Sequence, residues 1–510
     1  MTISLSPLKM SEEEISAEIH AQLPKTNRPL RVSMFNPPYG LHAGGGDRQL
    51  AGMQPLGLAY MAAATRDAGH HVAVCDAYSF GFGEEEIREF IATERPDVVA
   101  TTSTTPYIYD AWAIHRIAKE MNSDILTVNG GPHASHIPED VARDENTDVA
   151  VVGEGEFIFL EILAEIDTRD FSEIAGIAYR TPDGKVKRNP NRVPNHHLDN
   201  LPFPALDLLP SITDYTISPH HGRSGRFAPV NTTRGCPYNC EFCSITAYQG
   251  TKYRFRSVEN VIEELKMLKN EQGVTMTSFR EGVATLRKTR MKQICQRMIE
   301  EELNLSWTCT ATISSADPEM FRLMKEAGCT SIEYGIETGS ETVLNANPYL
   351  LSKNFSVEKV AEVVHMTADA GIDVHGYFII GMPGETKQTV DETIKFACSV
   401  PISTAGFTIA IPFPGTELYH YYSSRNRLHD KPWYQFDPNF GVVIEHENLT
   451  ATELEAAYKK AWRKFYLRPN QVLRRFRAIR SWADLRNHSD LAYRYLVSGS
   501  SSSQKGQITT

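Results

Sequence analysis

The sequence predicts a mixed α/β protein, and two observations carry that expectation. Short apolar runs bounded by Gly, Pro and Asn alternate with amphipathic stretches in two series, one from Arg31 to about residue 165 and another from Ala228 to about residue 420. Strands that alternate with helices build parallel sheets, because each crossover returns over a sheet face. Between the series lies a polar, proline-rich stretch, residues 166–225, which reads as a connector.

Taken in order, residues 1–29 form a polar leader without the apolar core of a signal peptide. Residues 30–165 carry five strands, "RVSMFNPP", "HVAVCDA", "DVVATTS", "DILTVNGG" and "DVAVVGEGE". Helices over 55–69, 84–94, 107–121 and near 138–143 separate them, so a doubly wound domain is expected. Ligands of such sheets sit at the carboxyl ends of the strands, which singles out loops 36–54, 102–107, 129–136 and 153–157. In the connector, "YRTPDGKVKRNPNRVP" reads as a polar hairpin or turn region.

Residues 226–420 give strands at "APVNTTRG", 274–279, 305–310, 329–336, 372–380 and 405–411. The intervening helices are 257–272, 288–302, 317–327, 356–370 and 386–399. Six such units make a complete or partial (β/α)6 barrel with its active face at the carboxyl ends of the strands. Residues 421–496 read as mostly helical, and the tail 497–510, ending "SGSSSSQKGQITT", as compositionally disordered.

Lys and Arg total 52 against 63 Asp and Glu, a formal charge of −11, which argues against a nucleic-acid binder. No apolar run is long enough to span a bilayer, so a cytoplasmic protein is expected. Of the eight cysteines, Cys75, Cys295, Cys309, Cys329 and Cys398 are scattered in or near apolar stretches and read as buried, reduced thiols.

The other three stand together in "TRGCPYNCEFC" (233–243), at spacing C-x3-C-x2-C. A structural zinc site takes four closed ligands, usually from two knuckles, and no second knuckle exists here; His220 and His221 lie upstream without a recognisable spacing. Inert core thiols sit poorly in a turn-rich segment that follows a strand end. A [4Fe–4S] cluster takes thiolates, usually four, and three ligands leave one iron open to a small molecule.

With Phe242 before the third cysteine, on the loop after the first strand of a β/α barrel, this motif resembles that of the radical S-adenosylmethionine (SAM) enzymes. The resemblance implies that Cys236, Cys240 and Cys243 hold three irons and that SAM chelates the fourth. One-electron cleavage of SAM then yields a 5′-deoxyadenosyl radical. Further residues carry over one by one. Phe242 resembles the aromatic residue beside the adenine, and Glu337 in "IEYGIETGS" the acid that contacts the ribose and methionine moiety. "GYFIIGMPGET" (376–386), with Gly381 and Gly384, resembles the segment lining the adenine, and "IPFPGTELY" (411–419) the closing segment. Where relatives show paired aspartates after the second strand, this chain has Arg280 and Glu281. Glu281 is therefore the candidate for the SAM amino group, and Arg280 for its carboxylate.

The first domain resembles the cobalamin-binding subfamily through "NPPYG" (36–40), "PLGLAY" (55–60), "GGPHAS" (130–135) and "VVGEGE" (151–156). That resemblance implies a cobalamin cofactor approached by the backbone at Gly130, Gly131, Gly153 and Gly155, with the hydroxyls of Ser103 to Thr105 near the nucleotide base. "GLHAGG" (40–45) matches the second half of the cobalt-ligating D-x-H-x-x-G through His42 and Gly45, but Gly40 replaces the Asp. Without a carboxylate to orient the imidazole, ligation by His42 weakens, and a free lower cobalt face is expected.

Together the two resemblances imply a methyltransferase that moves a methyl from SAM by way of methylcobalamin to an unactivated carbon of a small molecule. An external one-electron reductant of flavodoxin or ferredoxin type would supply it. The alternative keeps the cofactors and closes or rearranges a ring, as in the oxygen-independent cyclase of bacteriochlorophyll synthesis; "LTATELEAAYKKAWRKFYLRPNQV" resembles C-terminal regions across that wider group. A non-enzymatic corrinoid or iron–sulfur carrier is the third class. His375 and Tyr377 share one face of a strand and read as substrate contacts or core packing. Trp462, Arg463, Phe465, Tyr466 and Arg468 read as a lid or as helix packing.

Overall fold

A computed structural model describes residues 26–43, 52–215, 226–347, 356–437, 441–469 and 471–473. Most of the leader, the tail from residue 474, Gly45, His220 and His221 lie outside these residues.

Five parallel strands open the chain: β1 (Arg31–Asn36), β2 (His71–Asp76), β3 (Val98–Thr102), β4 (Leu126–Gly130) and β5 (Val149–Val151). Two antiparallel strands, β6 (Ile177–Arg180) and β7 (Val186–Arg188), extend the sheet to the order β2-β1-β3-β4-β5-β6-β7. Each parallel strand buries both faces. Val32 and Met34 join one core with helices Leu56–Asp67 and Gly155–Ala164, while Phe35 and Val99 join another with helices Glu84–Glu94 and Ile108–Met121. This two-sided burial explains the near-continuous apolar runs. The polar hairpin of the connector is β6–β7: Thr181 N–H donates to Lys185 O at 2.8 Å across a turn built on Pro182, Asp183 and Gly184. The first sheet thus runs on to Arg188.

The predicted strand "APVNTTRG" divides in two. Phe227–Val230 is β8, at one edge of the second sheet, whereas Thr233–Arg234 (β9) pairs only with Arg254–Phe255 (β10) in a separate antiparallel ribbon. Then follow β11 (Met276–Phe279), β12 (Ser306–Ala311), β13 (Cys329–Glu337), β14 (Asp373–Ile380) and β15 (Thr404–Ile409), all parallel in the order β8-β11-β12-β13-β14-β15. β8 and β15 do not pair with each other, so the barrel is partial. Its helices start where side chains cap them: Ser257, Asp317, Ser356 and Thr386 each accept a backbone N–H of the first turn.

Among its described residues, the C-terminal region is less helical than its composition suggests. Among the described residues between helix Glu417–Ser423 and helix Ala451–Tyr466, the helical structure is a short turn at Trp433–Gln435; Pro432 just before it disfavours a longer helix. Trp462, Phe465 and Tyr466 are packing residues. The first two set their rings 5.9 and 6.0 Å from Phe407 of β15, and the Tyr466 hydroxyl donates to Ala405 O at 2.6 Å, so the last helix covers the open barrel edge. The Trp433–Gln435 turn crosses to the first domain, where Trp433 meets His133 at 5.4 Å between centroids, and Tyr434 meets His42 and Tyr109 at 5.4 and 6.0 Å. Cys75, Cys295, Cys309 and Cys329 are buried and Cys398 is half-buried, all as thiols. Among the described residues, no helix is long and apolar enough to cross a membrane.

Candidate active site

The β9–β10 ribbon closes a loop, residues 235–253, that carries Cys236, Cys240 and Cys243 at the carboxyl end of β8. Cys236 and Cys240 are 7% and 8% exposed, and Cys243 is half-buried. The loop is tied down from several sides. Cys236 N–H donates to Gly250 O at 3.2 Å, and Cys243 N–H to Cys240 O at 3.0 Å. Tyr238 shares a 2.8 Å hydrogen bond with Ser314 after β12, and Leu418 N–H donates to Glu241 O at 2.8 Å. Among the described residues no group of three or more His, Cys, Asp or Glu side chains is drawn together as a metal site; the three thiols share one anchored loop and are the donor type that an iron–sulfur cluster takes.

The other residues expected around SAM come from the same barrel mouth. Phe242 packs half-buried against the core. Glu337, at the end of β13, is buried and sits at φ 65°, where the pairing of β13 with β14 shifts register between Gly335 and Glu337. A non-glycine residue in this left-handed region is strained. Gly381 follows β14, its N–H bonded to Glu385, whose carboxyl burial pushes up to about 7. Glu281 faces Thr232 at the root of the cysteine arm. Its two oxygens accept from the backbone N–H and the hydroxyl of Thr232, both at 2.7 Å, and burial pushes its carboxyl up. Arg280 turns toward the space between the two domains and stands 3.6 Å from Glu333, which also accepts the Tyr377 hydroxyl at 2.7 Å. His375 bonds Thr404 at 2.7 Å and sits edge-on to Tyr377, 4.4 Å between centroids, so both face the barrel interior.

Across from this mouth, the strand ends of the first sheet line a cavity of about 340 Å³. Gly130, Gly131, Gly153 and Gly155 all line it. Gly131, at φ 96°, cannot be replaced without strain: a Cβ there would lie 2.7 Å from Thr102 Oγ1 and 2.8 Å from Ser103 O. Gly57 and Gly130 are instead bare toward open space. A Cβ at Gly57 would meet no atom within 4 Å, and at Gly130 only Val151 at 3.9 Å. Such a cradle of bare backbone fits the large, mostly apolar body of a corrinoid. Ser103 and Thr105 stand behind the wall, where Ser103 bonds Asn129 at 2.9 Å and Thr105 bonds His133 at 3.1 Å. Their hydroxyls hold the loops together.

His42 does have a carboxylate partner. Asp110, from helix Ile108–Met121, stands 2.7 Å from His42 Nδ1 and also accepts the backbone N–H groups of His42 and Gly40, at 3.0 and 3.3 Å. The acid missing at Gly40 is thus supplied from elsewhere in the chain, which corrects the argument from sequence. The ring is not among the residues lining the cavity; it lies against Tyr109 and Tyr434.

Residues that the sequence did not single out join the two halves. Tyr60 faces the cavity from the first domain; Arg234, Tyr248 and Gln249 face it from the three-cysteine loop and its ribbon. Burial, and then the neighbouring Cys243, push the Tyr248 phenol up to about 12. The available signal was position alone: Arg234 precedes the first cysteine by two residues, and Tyr248 follows the third by five.

The Radical SAM superfamily matches residues 230–397, and the B12 binding domain matches residues 51–163. An uncharacterized methyltransferase of Pyrococcus horikoshii, PH0819, is 35% identical over 422 residues, covering 82% of this chain and 89% of the relative. An anaerobic magnesium-protoporphyrin IX monomethyl ester cyclase of Rubrivivax gelatinosus is 28% identical over 447 residues, covering 86% of this chain and 78% of the cyclase. Among solved structures, the radical S-adenosylmethionine methyltransferase TsrM of Kitasatospora setae, with cobalamin and a [4Fe–4S] cluster bound, has a TM-score of 0.67 at 18% identity, covering 86% of this chain and 90% of TsrM.

Proposed function

The chain belongs to the cobalamin-dependent radical SAM enzymes, and we propose from that membership that it methylates an unactivated carbon of a small molecule. One observation carries the reading. A single cavity is walled on one side by the glycine loops of the first sheet and on the other by Arg234, Tyr248 and Gln249 of the three-cysteine arm. A methyl carrier and a radical generator that act on one substrate must open onto a common space.

When bound, the cluster supplies the electron that opens SAM and cobalamin supplies the methyl carrier. The chain's own residues bind, orient and shield. Cys236, Cys240 and Cys243 are the cluster ligands in this reading. Gly130, Gly131, Gly153 and Gly155 receive the corrinoid, and Phe242, Glu337 and Gly381 line the SAM site. Glu337 is buried at the end of β13, which limits the ordering left to pay when SAM arrives. Arg280, aimed at the cavity, remains a cation for the SAM carboxylate or for an anionic substrate group. Tyr377 and His375, inside the barrel, are substrate contacts. The reductant is an external one-electron donor of flavodoxin or ferredoxin type, and the protein works in the cytoplasm.

Methyl-labelled SAM tests the reading. Under anaerobic reducing conditions the label enters the product, and 5′-deoxyadenosine is formed. The likeness to the Rubrivivax cyclase favours ring closure as the second reading. A product that gains a ring and no label would establish it.

A further inference from the structure

The motif "VVGEGE" alternates glycines with acids, and the acids engage the three-cysteine arm. Glu154 and Glu156 sit at the start of helix Gly155–Ala164 in the first domain. Arg234 and Arg254 face each other across the β9–β10 ribbon. Arg254 grips Glu154 with both prongs, at 2.6 and 2.9 Å. Arg234 reaches Glu156 at 2.5 Å and Glu154 at 3.7 Å, and its guanidinium lies 5.2 Å from the ring centre of Tyr60. The network is largely buried: Arg234 is 9% exposed, Arg254 4% and Glu156 7%, and the Glu154 side chain is 10% exposed. Burial, the largest single influence, raises the Glu156 carboxyl, but Arg234, a backbone N–H and Arg254 together hold it below the usual range.

Buried ion pairs are poor stabilisers compared with apolar packing, because desolvation offsets most of their attraction. A two-pronged Arg–carboxylate pair does fix distance and angle in a way that apolar contact does not. Here the fixed parts are the two walls of the active cavity. The glycines and both acids of "VVGEGE" line the cavity from the first domain, Arg234 lines it from the other side, and the two arginines stand at both ends of the loop that carries the cysteines. The link from Arg234 to Cys236 is tied down by hydrogen bonds from Gly235 N–H to Gln249 at 3.1 Å and from Cys236 N–H to Gly250 O at 3.2 Å. Gly235 between them adopts φ 80°, and a Cβ there would lie 2.2 Å from Lys252 O.

We propose that Glu154 and Glu156 are positioning residues that set the separation and angle between the cobalamin site and the cluster site, through Arg254 and Arg234. The inference rests on the function proposed above.

The test uses the full chain loaded with both cofactors and reads the magnetic interaction between Co(II) of cobalamin and the reduced cluster, alongside 5′-deoxyadenosine formed per methylated product. Glu154→Gln with Glu156→Gln is expected to retain about four irons per chain and to bind cobalamin. Its spin–spin splitting changes, and the 5′-deoxyadenosine-to-product ratio rises about tenfold or more, as loss of alignment predicts. If that variant fails to fold or load, the exchange of Glu154→Arg with Arg254→Glu decides. Recovery of loading together with the wild-type splitting supports the proposal. Recovery of loading without the splitting overturns it, as does failure of the exchange to load. Unchanged splitting and ratio in the Gln variant also overturn it. A wild-type protein with no magnetic interaction between the two centres would instead sink the functional reading, so the two failures are distinguishable.

Discussion

Glu281 gives both carboxylate oxygens to Thr232, one to its backbone N–H and one to its hydroxyl, each at 2.7 Å. Thr232 lies at the root of the three-cysteine arm, and Arg290 donates to its carbonyl at 3.2 Å from the other side. The acid therefore braces the arm from β11. Replacing Glu281 with Ala leaves buried donors unmet and is expected to cost about 2–4 kcal/mol of unfolding free energy, measured by denaturant titration of the cofactor-free protein. Glu281→Gln keeps an acceptor and loses less. SAM affinity of the loaded Gln variant stays near wild type; a large loss of affinity in a stable variant would place Glu281 on SAM instead.

The three cysteines are not equivalent to the five scattered ones. Cys240→Ala is expected to hold fewer than about two irons per chain where the wild type takes up about four, and to form no 5′-deoxyadenosine. Cys295→Ala, in the barrel core, leaves iron content unchanged and loses only stability. Iron assay of anaerobically reconstituted protein checks both.

Gly130→Leu puts a side chain into the open cradle without requiring a left-handed backbone. Cobalamin affinity, followed by its absorption spectrum, is expected to fall tenfold or more, about 1.4 kcal/mol. Iron uptake stays normal. Equal cobalamin affinity in the variant would move the corrinoid elsewhere.

Glu385 is fully buried and its carboxyl is raised from 4.5 to about 7, chiefly by burial. The folded value exceeds the unfolded one, so the native state binds the extra proton between about pH 4.5 and 7. Stability from this group is present below the lower value and is lost as pH rises through the window, by about 3 kcal/mol in all. Glu385→Gln removes the dependence. The difference in unfolding free energy between variant and wild type is expected to shift in the variant's favour from pH 5 to pH 8; a difference that stays flat would refute it.

His42 is held by Asp110 and lies in tilted contact with two tyrosines, away from the cavity wall. The Co(II) form is expected to show no superhyperfine splitting from a histidine nitrogen. His42→Ala is expected to change cobalamin affinity by less than about tenfold.

Much of this was legible because period and punctuation agree. Strands buried on both faces, such as Val98–Thr102, read as continuous apolar runs, and caps such as Ser257 and Thr386 stand where the helices begin. What escaped was contact between distant segments. Nothing near Gly40 announces Asp110, 70 residues away. Glu281 reads from sequence as a candidate for SAM, and only the fold brings Thr232, 49 residues upstream, against it. The ribbon of Thr233–Arg234 with Arg254–Phe255 is only two residues long on each side, too short to show alternation. The irregular stretch before Ala451 was masked by a composition rich in aromatic and basic residues, which helices and loops share.

The aromatic turn at Trp433–Gln435 reaches back to seal a surface made by the beginning of the chain. During synthesis that surface must wait, uncovered, until more than three hundred further residues have left the ribosome. The same geometry bears on gene splicing. A chimera that borrowed another protein's corrinoid module would arrive without the partner for Trp433 and Tyr434, so the two modules exchange only if this distant patch travels with them.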